Sequence, residues 1–437
     1  MILSRYSIGI GDRFGQQGKA QLAAIIKARE QGVNITPVWN KSQREHTIIG
    51  TRPADTRREA DEAVKACGWD GPYFVDADHV GLTSVGPFVK HSDFFTLDVA
   101  HLIAKTAGES EINAFIKKYR KYAGSLSIPG IDAPFDVNEE RLRALVGKFL
   151  LAIKEAGKIY RLIAAAKRTD TFLTEISLDE TVEPQSPLEL LFILAIVSDE
   201  GIPIQTIAPK FVGRFYKGVD YVGSVAKFAR QFEENLAVIS FAVKEFGLPE
   251  SLKLSLHSAS DKFSIYGVIK TALKKFDAGP VRSVSPGQRG KDLVRLSNGA
   301  GLHFKTAGTT WLEEIISLAM AGGEGLTMAK RIYARALLRI DELCEPYATV
   351  IDIDRTRLPG FKVVDKWDEV KFAATLRHDK SCKDYNQHFR QLMHVAYKIA
   401  AEMGRRYLDL LTQYRGIIAQ NVTENIYERH IKPVLLV

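Results

Sequence analysis

Two kinds of pattern alternate along the chain. Short runs rich in β-branched and aromatic residues fall at 5–10, 35–39, 73–76, 94–97, 172–177, 204–207, 252–256 and 301–305, and each has the length of a strand. Between them lie stretches with apolar residues three and four apart, at 21–29, 140–166, 187–198, 225–246 and 311–320, the spacing of amphipathic helices. Strands alternating with helices predict an α/β fold with a parallel sheet, and eight such strands favour a (β/α)8 TIM-type barrel; an open doubly wound sheet gives similar local signals. Residues 1–360 are expected to form the barrel, with a helical insertion near 135–168 and a basic loop near 281–300, and residues 361–437 a C-terminal helical extension packed on it. A long helical region is expected over 371–414, and a ninth strand-like run, 348–354, has no assigned place.

The 437 residues suffice for a sizeable core, and 46% hydrophobic with 26% charged residues is the balance of a soluble globular protein. The most apolar segment, 188–197, is cut off by Asp199-Glu200, and the N-terminus shows no charged-then-apolar leader, so no membrane span and a cytoplasmic location are expected. Three cysteines without a close pair support neither a disulfide framework nor a thiolate zinc site. A net charge of +8 raises nucleic acid as a partner. Basic residues are mostly interleaved with acids, however, as in Arg57-Arg58-Glu59-Ala60-Asp61-Glu62, which reads as a solvated helix face. The densest basic run, 281–291, lacks interleaved aromatics, so a small anionic substrate is preferred and no nucleic-acid partner is expected.

Candidate chemistry gathers where predicted strands end. Tyr73-Phe-Val75 runs into Asp76-Ala-Asp78-His79, 252–256 into His257-Ser-Ala-Ser-Asp261-Lys262, and Gly301-Leu302 into His303-Phe-Lys305-Thr306. Carboxyl ends of parallel strands are where ligands bind, because the following loops open there on a rigid scaffold. His79, His257 and His303, from three strand ends, are therefore expected to bind one divalent ion; each alone reads equally as a hydrogen-bonded core histidine. Asp76 and Asp78 share a face if their strand continues, with His79 on the other, unless the chain turns near Ala77. Further residues expected in the pocket are Asp179, Ser258 and Asp261, with Lys210, Lys262 or Lys305 holding a substrate carboxylate. Thr306 and Thr309 precede a helix; Thr309 or Thr310 serves there as its N-cap, or the helix-start amides hold a carboxylate. Gly9, Gly11, Gly15 and Gly18 lack the spacing of a dinucleotide fingerprint and read as tight-turn glycines.

The segments Tyr73-Phe-Val-Asp-Ala-Asp-His-Val80, Leu254-Ser-Leu-His-Ser-Ala-Ser-Asp-Lys-Phe-Ser-Ile-Tyr266 and Leu302-His-Phe-Lys-Thr-Ala-Gly-Thr-Thr-Trp-Leu312 together resemble the tagaturonate epimerase family, over nearly the whole chain. Ala259, where the family leads one to expect glycine, and the basic insertion at 281–300 depart from it and leave the exact sugar open. The resemblance implies a C4-epimerase that interconverts tagaturonate and fructuronate, small keto sugar acids, or acts on neutral ketohexoses. With the three histidines expected to hold a divalent metal, zinc first, with manganese, cobalt or nickel as alternatives, the chemistry expected is retro-aldol cleavage and re-formation of the C3–C4 bond. The Asp-His pair is also similar to that of metal-dependent class II aldolases, which makes Asp78 the acid/base, with Glu180 second, and His79 a ligand. A metal-dependent aldolase is the nearest alternative and a basic nucleic-acid binder the distant one; a homo-oligomer is compatible with either.

Overall fold

The computed structural model describes residues 1–169, 171–277, 301–306 and 308–436. Its strands are β1 (Tyr6–Ile10), β2 (Ile35–Ser42), β3 (Phe74–Val80), β4 (Phe94–Asp98), β5 (Gly124–Leu126), β6 (Phe135–Val137), β7 (Leu173–Ser177), β8 (Thr206–Ala208), β9 (Lys253–Leu256) and β10 (Leu302–Lys305). Eight of them close into a parallel barrel in the order β1-β10-β9-β8-β7-β4-β3-β2. These eight coincide with the strands expected from the sequence, and closure decides against the open sheet. The short β5–β6 pair is an antiparallel hairpin outside the barrel.

Period-two alternation explains what fills the barrel. Val38, Phe74, Phe94 and Leu173 form, with Leu3, a small buried apolar cluster of their own. Two residues further along three of the same strands stand Asp76, Thr96 and Glu175, which contact one another through hydrogen bonds. The barrel is thus plugged by apolar side chains near its amino end and turns polar and acidic toward its carboxyl end.

The helices cover the outside, and several start where the sequence supplies a side-chain cap. Ser186 and Glu189 form a capping box ahead of Pro187 at the first turn of the helix Pro187–Asp199. Asn138 caps the helix Glu139–Lys167, which is part of the connection from β4 to β7 and packs on Pro187–Asp199. The expected long helix at 371–414 is instead broken into Glu369–Leu376, Gln387–Val395, Tyr397–Glu402 and Arg405–Gln413. Asn386 accepts from the backbone of His388 and Phe389 and so starts a new helix, while Gly404, at φ 60°, starts another. The run 348–354 forms no strand: Val350 donates its N–H back to Tyr347 and accepts from the backbone of Lys217, so the segment lies as a loop against the one that follows β8. No described helix is long and apolar enough to cross a membrane. The three cysteines are unpaired. The basic run 281–291 lies outside the described residues.

Candidate active site

A cavity of about 420 Å³ opens at the carboxyl end of the barrel, lined by Asp78, His79, Asp179, His257 and Lys305 among others. The chain delivers His79 to it by a distortion. The pairing of β3 with β4 slips between Ala77 and Val80, and His79 sits at φ 55°, a conformation costly for a residue with a Cβ. Alternation alone would turn His79 away from Asp78; the bulge brings its Nδ1 to 3.0 Å from Asp78 Oδ1. Ser258, directly after His257, is held at φ 51°, so two of the site's strand ends are strained.

At the cavity floor, Lys305 organises the acids. Its Nζ lies 2.9 Å from Asp76 Oδ2, Asp78 Oδ1 and Glu175 Oε1 and donates to Thr96 Oγ1 at 2.7 Å. Gly9 makes room for it, since a Cβ there would meet Lys305 Cγ at 2.8 Å. Burial pushes Asp76 up to about 6, against Lys305 and with help from the Asp78 and Glu175 charges. Burial, the largest single influence, works against ionisation of Asp78 and Glu175, but the Lys305 ammonium together with His79 and His257 respectively outweighs it and holds both well below the usual carboxylate range.

His79, Asp179 and His257 offer two ring nitrogens and one carboxylate oxygen that all lie within 4.8 Å of one another. His257 Nε2 donates to Glu175 Oε1 at 2.6 Å, which leaves the lone pair of Nδ1 facing Asp179 Oδ1 at 3.2 Å. That buried Nδ1 makes no hydrogen bond among the described residues. His79 Nδ1 stands 3.0 Å from Asp78 Oδ1 and Nε2 3.5 Å from Asp179 Oδ1; the tautomer that donates Nδ1–H to Asp78 leaves the Nε2 lone pair toward Asp179. Lone pairs facing one another repel unless a proton or a cation stands between them. Burial alone would lower both imidazoles, but the neighbouring carboxylates outweigh it and raise them, most strongly His79. Three carboxylates, Asp76, Asp78 and Glu175, surround the Lys305 ammonium, and Asp179 adds a fourth negative charge beside the two imidazoles, a cluster that a divalent ion would help neutralise. The Glu175 carboxylate behind His257 is the outer partner that metal-bound imidazoles usually have.

His303 corrects the expected trio. It lies two residues before Lys305 on β10, one layer deeper in the barrel, with Nδ1 2.8 Å from Ser7 Oγ and its ring edge-on to Phe94. Burial drives it down to about 3, so it is a neutral core histidine. Asp179 stands in the place expected for it, oriented by Ser177 Oγ at 2.5 Å.

Several expected pocket residues have structural partners instead. The Lys262 ammonium donates to the carbonyls of Tyr216, Val219 and Ser260, which uses all its protons. Asp261 is buried in an ion pair with Arg390 at 2.8 Å. Thr306 bonds the Gly9 carbonyl, and Lys210 donates to that of Thr181. The helix Thr309–Met320 is capped at Gly308, not by a threonine side chain, and Thr310 Oγ1 accepts from Gln21. The glycine-rich turn holds its own anion: the Asp12 carboxylate accepts from the amides of Phe14, Gly15, Gln16 and Gln17, which leaves no nest for a phosphate. Asp78, Asp179, Glu180 and Ser258 border the cavity, and so do Lys210, Lys262 and Lys305 despite those partners.

The sequence pattern did not single out Asn40. It lines the cavity from β2, is 3% exposed, and neither amide atom has a partner among the described residues. Its pairing with Asp76 on β3 is the signal, visible only once strand register is known.

Residues 1–276 match a family model described as tagaturonate epimerase. A curated relative from Thermotoga maritima, a tagaturonate/fructuronate epimerase, is 27% identical over 98% of this chain and 80% of its own length. Crystal structures of a fructuronate-tagaturonate epimerase from Cohnella laeviribosi share the fold: a glycerol complex at TM-score 0.76 and 22% identity covers 99% of this chain and 82% of that one. The native form of the same protein gives 0.75 and 22% over the same shares.

Proposed function

The chain belongs to the tagaturonate epimerase family, and from that premise we propose that it interconverts tagaturonate and fructuronate at the barrel mouth by breaking and re-forming the C3–C4 bond. The observation that carries this reading is the convergence of His79, Asp179 and His257 on one point beside the ionised Asp78. Two imidazole nitrogens and a carboxylate oxygen suit zinc or another divalent transition ion. When bound, such an ion supplies Lewis-acid polarisation of the substrate's C2 carbonyl.

Asp78 accepts the proton of the C4 hydroxyl. Its contacts with Lys305 and His79 both fall on Oδ1, so Oδ2 remains for this task. As the C4 oxygen becomes a carbonyl, the C3–C4 bonding electrons pass to C3, giving an aldehyde and an enediolate. The aldehyde turns its other face, C3 attacks it, and Asp78 returns the proton to the new C4 oxygen. Glu180, on the cavity rim, is the second choice for the base. Asn40 has one amide donor side and one acceptor free for a substrate hydroxyl or carbonyl.

C4 keeps its own hydrogen throughout this route. Epimerisation in deuterium oxide is therefore expected to give product without deuterium at C4, read by proton NMR. Incorporation there would replace bond cleavage with proton abstraction at C4.

A further inference from the structure

Three of the cations around the mouth, Lys305, Lys262 and Arg13, have their donors largely committed. Lys305 is surrounded by four oxygens and Lys262 by three carbonyls. Lys210 donates one proton to the Thr181 carbonyl, with Arg214 beside it on the exposed rim, and has no side-chain tie to the residues flanking His79, Asp179 or His257 among the described residues. Arg13 donates Nη1–H to the His394 carbonyl at 3.0 Å, pairs with Glu45 at 3.3 Å and stacks over Tyr397.

Lys217 is different. It lines the cavity on the loop after β8, and its backbone N–H is fixed to the Val350 carbonyl at 2.8 Å. Its Nζ donates to Ser258 Oγ at 2.9 Å, and the other two ammonium protons have no partner among the described residues. Ser258 is the strained residue directly after His257, so the ammonium is fixed next to the cation-capable group. Burial lowers Lys217, Asp179 and Glu180 oppose that, and the Arg44 and Arg13 guanidinium groups add to it. Arg44 is thus near enough to be felt. Its guanidinium lies over the Tyr347 ring at the cavity edge, with no hydrogen bond among the described residues.

We infer that Lys217, with Arg44 beside it, binds the carboxylate of the substrate and sets the preference for a keto sugar acid over a neutral ketohexose. The inference rests on the proposed substrate class and replaces Lys210, Lys262 and Lys305 in that role. A half-buried ammonium with spare donors gains most from an anion, because the pairing is charge-assisted and shielded from water. Ser258 fixes the ammonium in advance, so little ordering remains when the anion arrives.

The test compares wild-type protein with Lys217→Met, Lys217→Arg and Arg44→Met, the last on the exposed rim where substitution spares the core. Calorimetric binding of tagaturonate and of neutral tagatose is measured beside turnover. Lys217→Met is expected to weaken tagaturonate binding about tenfold or more while changing tagatose binding little. Lys217→Arg recovers part of the loss, and Arg44→Met shows a smaller loss of the same selectivity. Equal tagaturonate affinity in wild-type and both Met variants, or an equal loss for both sugars, overturns the anchor. A wild-type protein that binds tagaturonate through Lys217 without epimerising it would instead overturn the reaction and leave the anchor standing.

Discussion

At the residue scale, the site depends on backbone choices as much as on side chains. Gly9 is the clearest case, since any Cβ at that position collides with the Lys305 stem. Gly9→Ala is expected to displace the ammonium from Asp76, Asp78 and Glu175, leaving buried carboxylates uncompensated at a cost of about 3–5 kcal/mol. Thermal unfolding and turnover should both fall; a variant with wild-type melting and kcat would contradict the account. The same scale shows why His303 misled the sequence reading. A histidine at the end of an apolar run looks the same whether it stands at the strand's last layer or one layer below. His257 follows β9 directly, whereas His303 is the second residue of β10. Only the register with Ser7 and Ser255 places it deep. His79 was harder, because its direction comes from a bulge that alternation cannot foresee.

At the element scale, the eight barrel strands were legible because each is short, apolar and bounded by polar turns. Segments that work through side-chain ties were not. The run 348–354 has strand-like composition, yet its partners include Tyr347, Lys217, Gln391 and His388 and no neighbouring strand. The C-terminal elements are held to the β9 loop through specific groups. Arg390 reaches Asp261, Gly218 and Leu376, and His430 Nε2 accepts the Asp261 amide at 3.1 Å while its Nδ1–H donates to Asn425. Accepting at Nε2 requires a neutral ring, and burial indeed lowers His430 to about 4. Its unfolded value is near 6.5, so between those two values the unfolded chain binds the extra proton. The stability it contributes is complete above about pH 6.5 and shrinks as pH falls, by about 1.4 kcal/mol per unit within that window. Denaturant unfolding of wild type and His430→Asn should show this difference in slope between pH 6.5 and 4.5. Parallel pH profiles would show that the ring is not titrating as described.

At the scale of the whole molecule, one arrangement ties fold to chemistry. Inward positions change from apolar to acidic along the strands, and the acids are then under-neutralised at the end where the loops open. Barrel closure collects Asp76 and Asp78 from β3, Glu175 from β7, His257 from the end of β9 and Lys305 from β10 around one point. The sequence revealed which strand ends carry polar chemistry, since motif and strand end coincide there. It did not reveal which cations were already saturated, because Lys262 and Lys305 look alike in the chain and differ only in their acceptors. The claim on which the rest depends is that His79, Asp179 and His257 hold a divalent ion. The most direct measurement is the metal content of chelator-stripped protein after dialysis against single divalent ions, for wild type and His257→Ala, with epimerisation of tagaturonate followed alongside. The account predicts about one ion per wild-type chain, restored activity with it, and loss of both in the variant. Full activity in ion-free wild-type protein, or an undiminished ion content in His257→Ala, would contradict it.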